Sequence, residues 1–348
     1  MKVGLTYNMK REDTEESQEP PGGVSVDSQA EWDAPETIAA ISAAIGERHD
    51  VILIDAAVDA AKDAWEVLRK TRPDIVFNIA EGSTGPCREG YIPSILEHLG
   101  IPYTASDPLT LNICLDKSRT KEILAYHGIP TARFRVITGR DDHCPGGAPH
   151  YPLVVKPLYE GSSKGIYDNS LVRTRGEMIE RTTWLMGNYR QPALVEEFLP
   201  GREFTVAILG NGDKARALPI VEILFDSLPE GGNPIYSFEA KWVWDQSSNP
   251  LRIFECPARL DEKLKTEIEN LCLDAYRVLR CRDWCRVDVR LDAEGLPHIL
   301  ELNPLPGVLP QPEDNSCFPK AARAAGMGYN QLINAVLDIA CERYGLRP

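Results

Sequence analysis

Arg286-Val-Asp-Val-Arg-Leu-Asp-Ala-Glu-Gly-Leu-Pro-His-Ile-Leu-Glu-Leu-Asn-Pro-Leu-Pro-Gly307 is the stretch that decides the fold. Polar and apolar residues alternate over Arg286–Leu291 and again over His298–Asn303, as expected for strands whose successive side chains point to opposite faces. Between these two segments, Asp292-Ala-Glu-Gly295 contains residues typical of a tight turn. The stretch therefore predicts a β-hairpin.

Oxygen-bearing side chains recur along one face of this hairpin. Arg286 and Asp288 share a face of the first strand, and Glu301 and Asn303 share a face of the second. If the register brings these faces together, two carboxylates and an amide offer the hard oxygen ligands that suit Mg²⁺. The alternative is an exposed hairpin with a charged solvent face. The irregular turn Asn303–Gly307 favours a site, because it would place backbone N–H groups beside the carboxylates.

A second stretch, Leu153-Val-Val-Lys-Pro-Leu-Tyr-Glu-Gly-Ser-Ser-Lys-Gly165, predicts a strand followed by an anion-binding loop. The strand delivers Lys156, and the glycines of the loop let backbone N–H groups approach an anion closely. Ser162 and Ser163 add hydroxyl donors. The loop is a weak signal by itself, and the chain contains no Walker A sequence and no dinucleotide-binding glycine fingerprint.

Composition restricts the class of protein. The chain has 348 residues and a formal net charge of −14, which argues against nucleic acid or an anionic membrane as the main partner. No apolar run has the length of a transmembrane helix, and Met1–Tyr7 reads as a strand and not as a signal peptide. Nine cysteines without zinc-ligand spacing favour a reducing cytoplasm, with Cys281 and Cys285 as buried core thiols.

Periodicity divides the chain into elements. The predicted strands are Lys2–Tyr7, Val51–Ile54, Ile75–Ile79, Arg133–Ile137 and Leu153–Lys156. The predicted helices are Pro35–Ile45 with Asp33 as its cap, Ala60–Arg69, Lys117–His127, Asp261–Leu279 and Asn330–Tyr344. Residues Asn8–Ser28 and Gly139–His150 are predicted loops. The alternation of strand and helix in the first hundred or so residues indicates a parallel sheet.

Further motifs follow in order along the chain. They are Asn78-Ile-Ala-Glu-Gly82, Glu89-Gly90, Leu96-Glu-His-Leu-Gly-Ile-Pro-Tyr-Thr104, Leu115-Asp-Lys117, Gly128-Ile-Pro130, Val195-Glu-Glu-Phe-Leu199, Gly201-Arg-Glu-Phe-Thr-Val206, Phe238-Glu-Ala-Lys241 and Cys256-Pro-Ala258. With the two stretches above, this series resembles the ATP-grasp superfamily and, within it, the D-alanine–D-alanine ligase family. The resemblance runs from about Phe77 to about Asn334.

The resemblance implies a mixed α/β and α+β architecture. An N-terminal parallel α/β domain (residues 1–107) would precede central (108–193) and C-terminal (194–348) α+β ATP-grasp domains, with ATP between the last two. It also implies that the cofactors are ATP and two Mg²⁺ ions, with Mn²⁺ as a substitute, and that the chain forms a homodimer.

Roles at the reacting centre are also implied by the resemblance. Lys117 and Lys156 would contact the ATP phosphates, and the metal ions would be held by Asp288, Glu301 and Asn303. Four residues would act in catalysis: Arg286 stabilises the charged transition state, the Gly307 N–H joins the oxyanion hole, Ser162 lies over the phosphates, and Lys241 belongs to a mobile loop that excludes water. The alternative for the two phosphate lysines is an ordinary surface position.

The resemblance places adenine at a hinge between the central and C-terminal domains. The hinge residues are Glu196, Glu197, Phe198 and Leu199, and Glu203 would bind the ribose. The alternative for Glu196 and Glu197 is an edge strand that carries charges to discourage aggregation.

The departures from the family lie at the amino-acid end of the site. Glu31 aligns loosely with the amine-binding glutamate, Glu81 stands where histidine is usual, and Arg88 replaces an expected glutamate. Trp242 replaces a tyrosine. Ser316 stands for the serine that grips a substrate carboxylate in the family, but an acidic, proline-rich insertion (residues 308–315) precedes it. Arg88 would pair either with a substrate carboxylate or with Glu81 or Glu89.

This pattern favours an ATP- and Mg²⁺-dependent carboxylate–amine ligase acting through an acyl phosphate on amino acids or small derivatives, with a substrate pair other than two D-alanines. The alternatives are authentic D-alanine–D-alanine ligation for a cell wall and, from another class, a non-catalytic ATP-binding regulatory module. The partners would be small molecules and neither nucleic acid nor membrane.

Overall fold

A computed structural model describes residues 1–10, 31–57, 61–139, 149–229, 231–244 and 253–347 of the chain. Most of the two predicted loops, Asn8–Ser28 and Gly139–His150, lies outside these residues. The same holds for the side chains of residues 61–63 and of Trp242. No helix in the described part of the chain has the length and apolar character needed to cross a bilayer.

The first unit is a three-stranded parallel sheet with helices against it. Its strands, in the order β2–β1–β3, are β1 (Lys2–Tyr7), β2 (Asp50–Asp55) and β3 (Ile75–Asn78). The helices of this region are α1 (Pro35–Gly46), α2 (Ala61–Thr71) and α3 (Tyr91–Leu99). The side chains of β3 are all buried, which is typical of parallel strands covered on both faces.

The predicted cap of α1 is wrong. Ala34 precedes the helix with extended backbone and no side-chain cap bond, and Pro35 supplies the preset first-turn geometry. The backbone of Asp33 instead bridges Asn8 and Lys10, with N–H and carbonyl hydrogen bonds of 2.9 and 2.8 Å. These bonds hold the chain beside the end of β1, and Asp33 therefore does not cap the helix.

A four-stranded antiparallel sheet forms the middle of the chain, in the order β4–β7–β5–β6. Its strands are β4 (Phe134–Ile137), β5 (Leu153–Pro157), β6 (Leu171–Val172) and β7 (Ala193–Glu197). The helices of this region are α4 (Pro108–Leu115), α5 (Lys117–Tyr126) and α6 (Arg175–Tyr189). Helix α6 packs on the sheet through Leu185 and its neighbours.

A six-stranded sheet follows, in the order β11–β10–β8–β12–β13 with β9 paired to β8. Its strands are β8 (Glu203–Leu209), β9 (Arg216–Ala217), β10 (Val221–Ile223), β11 (Phe254–Glu255), β12 (Trp284–Leu291) and β13 (Pro297–Asn303). The remaining α-helices are α7 (Glu262–Val278), α8 (Cys317–Ala324) and α9 (Tyr329–Tyr344). The predicted hairpin is β12–β13, and its pairing is antiparallel.

Helix α9 packs against α1, so the two ends of the chain share one apolar core. The guanidinium of Arg48 donates two hydrogen bonds of 2.8 Å to the Asp338 carboxylate, and the Asn334 amide donates to the Ala44 carbonyl at 2.7 Å. The domain boundaries predicted after residues 107 and 193 stay a prediction.

Candidate active site

A cavity lies between the four-stranded and six-stranded sheets. Its lining includes every residue predicted to bind ATP, to bind metal or to act in catalysis: Lys117, Lys156, Ser162, Glu196, Glu197, Phe198, Leu199, Glu203, Lys241, Arg286, Asp288, Glu301, Asn303 and Gly307. Three of the predicted substrate residues, Glu31, Glu81 and Ser316, line it as well, whereas Arg88 does not. The structure thus brings the residues together, and the roles assigned to them stay predictions.

The hairpin register places the predicted metal ligands face to face. Arg286 is opposite Asn303, and Asp288 is opposite Glu301. The Arg286 guanidinium donates to both carboxylate oxygens of Asp288, at 3.0 Å from Nε and 2.9 Å from Nη2. The Asn303 amide nitrogen lies 3.4 Å from Asp288 Oδ2 and 3.5 Å from Glu301 Oε1. The alternative of a solvent-facing charged hairpin is wrong, because this face closes one wall of the cavity.

These donors fit Mg²⁺ in the way that phosphate-bound magnesium is usually held. In the described part of the chain no three His, Cys, Asp or Glu side chains form a metal-binding group. Two carboxylates and an amide oxygen instead leave several coordination positions for phosphate oxygens and water. Burial opposes ionisation of Glu301, but Lys117, Lys156 and Arg286 outweigh it and hold its pKa at about 2. Glu301 is therefore an anion over the whole physiological pH range.

Buried lysines face this carboxylate cluster from helix α5, which carries Lys117 and Lys121, and from strand β5, which carries Lys156. Lys117 donates to the Glu160 carbonyl and lies 3.4 Å from Glu301, and Lys156 lies 2.5 Å from Glu196. Lys121, which the sequence reasoning did not assign, contacts the same Glu196 at 2.9 Å. The surface alternative for Lys117 and Lys156 is wrong, since their side chains are 5% and 7% exposed. Buried positive charge of this density suits a polyphosphate.

The predicted hinge lies on an interior strand. Strand β7 pairs with β4 on one side and β5 on the other, so the edge-strand alternative for Glu196 and Glu197 is wrong. Glu203 accepts a hydrogen bond of 2.6 Å from Arg290, whose guanidinium stacks 4.6 Å from the centre of the Phe198 ring. Arg290 also lines the cavity, although it was not predicted to do so.

The segment Glu160–Gly165, called the phosphate loop below, has an unusual backbone. Ser162 and Ser163 have φ values of 50° and 60°, in the left-handed region that non-glycine residues rarely adopt. The Ser163 hydroxyl donates to the Tyr236 carbonyl at 2.8 Å, and the Lys164 N–H bonds to the Gly161 carbonyl at 2.9 Å. The tertiary contacts therefore hold the loop in a conformation that its sequence alone does not favour.

Gly307 and Ser316 lie together in spite of the insertion between them. The Ser316 hydroxyl donates to the Gly307 carbonyl and accepts from the Leu309 N–H, each at 3.2 Å. A methyl group built on Gly307 would meet no atom within 4 Å, so its backbone faces open space. Across the cavity, burial and Arg286 lower the pKa of Lys241 to about 8.

Arg88 is paired with a residue other than its two predicted glutamate partners. Its side chain is 2% exposed, and its Nη2 lies 3.0 and 2.9 Å from the two carboxylate oxygens of Glu31. Its Nη1 donates to the Tyr159 carbonyl at 2.5 Å, and Glu160 lies 3.4 Å away. The alternative pairing with Glu81 or Glu89 is wrong, because the Arg88 guanidinium pairs with Glu31. The pairing of Arg88 with a substrate carboxylate stays a prediction.

Three carboxyl groups line or flank the amino-acid end of the cavity. Burial raises the pKa of Asp33 to about 7, and it raises the pKa of Glu89 to about 7 against the attraction of Arg88. For Glu81, burial and then the negative charges of Glu31 and Glu89 raise the pKa well above its ordinary value. All three carboxyls therefore hold their protons more tightly than free carboxyls do. The Trp242 side chain lies outside the described residues.

Sequence reasoning missed several residues of the site. Lys164 lies in the phosphate loop with a 6% exposed side chain and contacts Glu31 at 2.8 Å. Glu160, in the same loop, accepts from the Gln191 amide at 2.7 Å. The sequence does contain a signal for Lys164 and Glu160, because both residues lie within the glycine–serine stretch that predicts the anion-binding loop. Glu89 was quoted only as part of a motif.

Comparison with known proteins gives the family. The model described as the D-alanine–D-alanine ligase C-terminus matches residues 123–338. A D-alanine–D-alanine ligase of Bordetella pertussis is 37% identical over 77% of this chain and 78% of its own length. An uncharacterized protein, y4sG of Sinorhizobium fredii, is 37% identical over 78% of this chain and 75% of its own.

Solved structures show the same fold. The crystal structure of D-alanine–D-alanine ligase from Bacillus anthracis complexed with ATP has a TM-score of 0.72 and 24% identity, with 99% of each chain covered. The prediction of an ATP-grasp architecture with parallel and antiparallel sheets is confirmed. The chain belongs to the D-alanine–D-alanine ligase family of ATP-grasp proteins and is an ATP-dependent, ADP-forming ligase.

Proposed function

We propose that this ligase joins a carboxylate to an amine through an acyl phosphate, with Mg²⁺, and that its substrates are amino acids or small derivatives other than a pair of D-alanines. The substrate part of the proposal is carried by one observation. The cavity end where we expect the amino acids is lined by the half-buried residues Asp33, Glu81 and Glu89, whose carboxyls each have a raised pKa.

The nucleotide end supports the phosphoryl-transfer part. Lys117 and Lys156 bring two buried positive charges to the place where we expect the triphosphate. Asp288, Glu301 and Asn303 would hold two Mg²⁺ ions, or Mn²⁺ in their place, and bound metal would neutralise phosphate charge during transfer. Arg286 is held in place by both oxygens of Asp288, so its guanidinium is oriented before the substrate arrives.

The next step is attack of the amine on the acyl phosphate, which creates an oxyanion. The Gly307 N–H would donate to that oxyanion, and the turn from Asn303 to Gly307 fixes its position beside the carboxylates. Lys241 and its segment would close the cavity and exclude water, so that the acyl phosphate reacts with the amine and is not hydrolysed. Ser316 would grip the carboxylate of the amine substrate.

Adenine would lie against the hinge Glu196–Leu199, with Glu203 at the ribose. These residues line the part of the cavity between the two antiparallel sheets. The bound ATP of the Bacillus anthracis relative supports a nucleotide in the present cavity.

Authentic D-alanine–D-alanine ligation is the second candidate. It is favoured by relatives of that name, such as those of Bordetella petrii at 35% and Pelotomaculum thermopropionicum at 33% identity. In that reaction the small apolar side chain of alanine would have to lie beside the carboxyls of Glu81 and Glu89.

Release of ADP from ATP separates the two candidates. Purified protein is incubated with Mg²⁺·ATP and with single or paired amino acids of both configurations. The products are identified by mass spectrometry. Rapid release with a pair that carries an additional cationic group, and slow release with D-alanine, is the expected result. D-alanyl-D-alanine as the fastest product would replace the proposal by the second candidate.

The remaining expectations about partners are proposals of the same kind. The net charge of −14 supports small-molecule substrates over nucleic acid or an anionic membrane. The homodimer rests on the family resemblance, and the cytoplasmic location rests on the cysteines, which favour a reducing compartment. Light scattering of the purified protein tests the dimer, and fractionation of producing cells tests the location.

A further inference from the structure

We infer that Glu31 is a positioning residue for the phosphate loop and acts on the nucleotide through that loop. The family resemblance suggested a different role, in which this glutamate binds the amine of a substrate. The inference rests on the proposed phosphate-binding role of the loop. It states how the N-terminal α/β unit controls the conformation of that loop.

The carboxylate of Glu31 is already saturated by protein donors. Its Oε1 accepts from the Gly161 N–H at 2.7 Å and from Arg88 at 3.0 Å. Its Oε2 accepts from Arg88 at 2.9 Å and from Lys164 at 2.8 Å. A carboxylate has about four lone-pair positions, and four contacts use them. The side chain is 3% exposed, which leaves no face of the carboxylate for a substrate ammonium.

Gly161 leaves room for this contact. A Cβ at position 161 would lie 2.5 Å from Glu31 Oε1, and the only other atom within 4 Å would be the Glu31 carboxyl carbon at 3.6 Å. Gly161 is not among the residues with positive φ, so its backbone does not itself require glycine. Among the residues that the structure describes, the close approach of Glu31 to the loop N–H is the contact that a side chain at position 161 would disturb.

The charges around Glu31 form one buried group. Arg88 and Lys164 are positive, Glu31 and Glu160 are negative, and all four side chains are at most 13% exposed. Lys164 bonds to Glu160 as well as to Glu31. Burial alone would raise the pKa of Glu31, but Arg88 and Lys164 outweigh it and hold the pKa at about 2. Loss of one member leaves an uncompensated charge in the group.

The group spans two parts of the chain and holds a strained backbone. Glu31 and Arg88 come from the N-terminal α/β unit, and Lys164 lies in the loop that contains Ser162 and Ser163. Left-handed conformations of those two serines are unfavourable for non-glycine residues and persist only when their surroundings impose them. The contacts of Glu31 with Gly161 and Lys164 are among those that impose this conformation. Its loss should loosen the loop, and the nucleotide would then have to reorder it.

The test measures binding of a non-hydrolysable ATP analogue with Mg²⁺ by calorimetry, in the absence of any amino acid. We expect Glu31→Gln to weaken binding about tenfold, within the range of couplings between contacting residues. Gly161→Ala should weaken it to a similar extent, because the new methyl group expels the Glu31 carboxylate. In a Glu31→Ala background the Gly161→Ala change should have no further effect, because nothing remains within 4 Å of the methyl.

Arg48→Met is the matched control. It also breaks a two-bond arginine–carboxylate pair, between Arg48 of the N-terminal unit and Asp338 of α9. This pair is exposed, and neither residue lines the cavity. Nucleotide affinity should be unchanged in this variant. Gly161→Ala removes no charge, so it keeps the inference testable if a Glu31 variant does not fold.

Two results would overturn the inference. One is a Glu31→Gln protein that binds the analogue as tightly as the parent and differs only in a higher KM for an amino acid, as an amine-binding role requires. The other is an equal loss from Gly161→Ala in both backgrounds. Failure of the parent itself to bind the analogue would instead overturn the proposed nucleotide site and the inference with it.

Discussion

The two ends of the cavity treat carboxyl groups in opposite ways. At the nucleotide end, Glu301 and Glu196 lie beside lysines, which lower their pKa values against the effect of burial. At the amino-acid end, burial raises the pKa values of Asp33, Glu81 and Glu89. The charge pairs of the first end fit the proposed binding of phosphate and metal. The carboxyls of the second end hold their protons more tightly than free carboxyls do, and a cationic substrate group would favour their ionisation.

This difference suits the proposal that the chain keeps the reaction of its family with another substrate pair. Charge pairs at the nucleotide end depend on one another, so a substitution there disturbs the whole set. Three experiments test the comparison, beginning with the largest expected effect.

Glu301→Ala should lower the rate of ADP formation at least about 10²-fold, the scale for loss of a major electrostatic element of a site. The change removes a metal ligand and leaves Lys117 without its carboxylate. A coupled assay at saturating ATP measures it. Glu294→Ala, an exposed position in the turn of the same hairpin, is the control and should keep the parental rate. Turnover near the parental value in Glu301→Ala would contradict the assignment of Glu301 as a metal ligand.

Lys156→Met should weaken ATP binding about tenfold or more, because a buried charge that faces the phosphates is lost while the length of the side chain is kept. Calorimetry measures the affinity. Lys121→Met is the matched comparison, because Lys121 contacts the same Glu196 but does not line the cavity. Its effect on ATP should be smaller. Equal effects of the two changes would mean that Lys156 acts only through Glu196.

Glu89→Gln should alter how stability depends on pH. Burial raises the pKa of Glu89 from 4.5 to about 7, so the folded protein binds its proton more tightly than the unfolded chain. That contribution is fully present below the unfolded pKa and is lost as the pH rises towards 7.

The fall in unfolding free energy between about pH 5 and about pH 8 should therefore be smaller in the variant by roughly 1–3 kcal/mol. Urea unfolding at the two pH values measures it, and Glu36→Gln, an exposed position on α1, is the control. An unchanged pH dependence would show that Glu89 ionises normally and that the amino-acid end does not differ in the way described.

Much of the fold could be predicted because alternation and turn residues act locally. The hairpin was predicted at Arg286–Leu291 and His298–Asn303, and the strands extend from Trp284 to Leu291 and from Pro297 to Asn303. The predicted cofacial arrangement of Arg286, Asp288, Glu301 and Asn303 is confirmed by the register. Cys281 and Cys285 are buried as predicted.

Several helices were missed although their start signals are present. Helix α4 begins at Asp107-Pro108, with the Asp107 side chain accepting from the Thr110 N–H. Helix α6 begins at Thr174, which accepts from the Glu177 N–H, and the Glu177 side chain bonds back to Arg173. Each of these signals consists of only a few residues. The apolar residues that follow are irregularly spaced, so no helical periodicity supports the signal.

The partners of Arg88 could not be predicted, for a different reason. Glu31 lies 57 positions from Arg88 and 130 from Gly161, and no local pattern links residues that far apart. The choice among Glu31, Glu81 and Glu89 as the partner depends on where the folded backbone places each carboxylate. Only the folded arrangement contains that information.

The packing of α9 on α1 has a consequence for how the protein is made. On a ribosome, α1 emerges almost three hundred residues before the helix that covers its apolar face. Leu332, Val336 and Leu337 of α9 share an apolar core with Ile41 and Ile45 of α1, and they are therefore absent while the N-terminal sheet is being made. Contacts between such distant parts of a chain form slowly. The nascent polypeptide should thus depend on chaperone binding to its N-terminal third, and release of that chaperone should follow synthesis of α9.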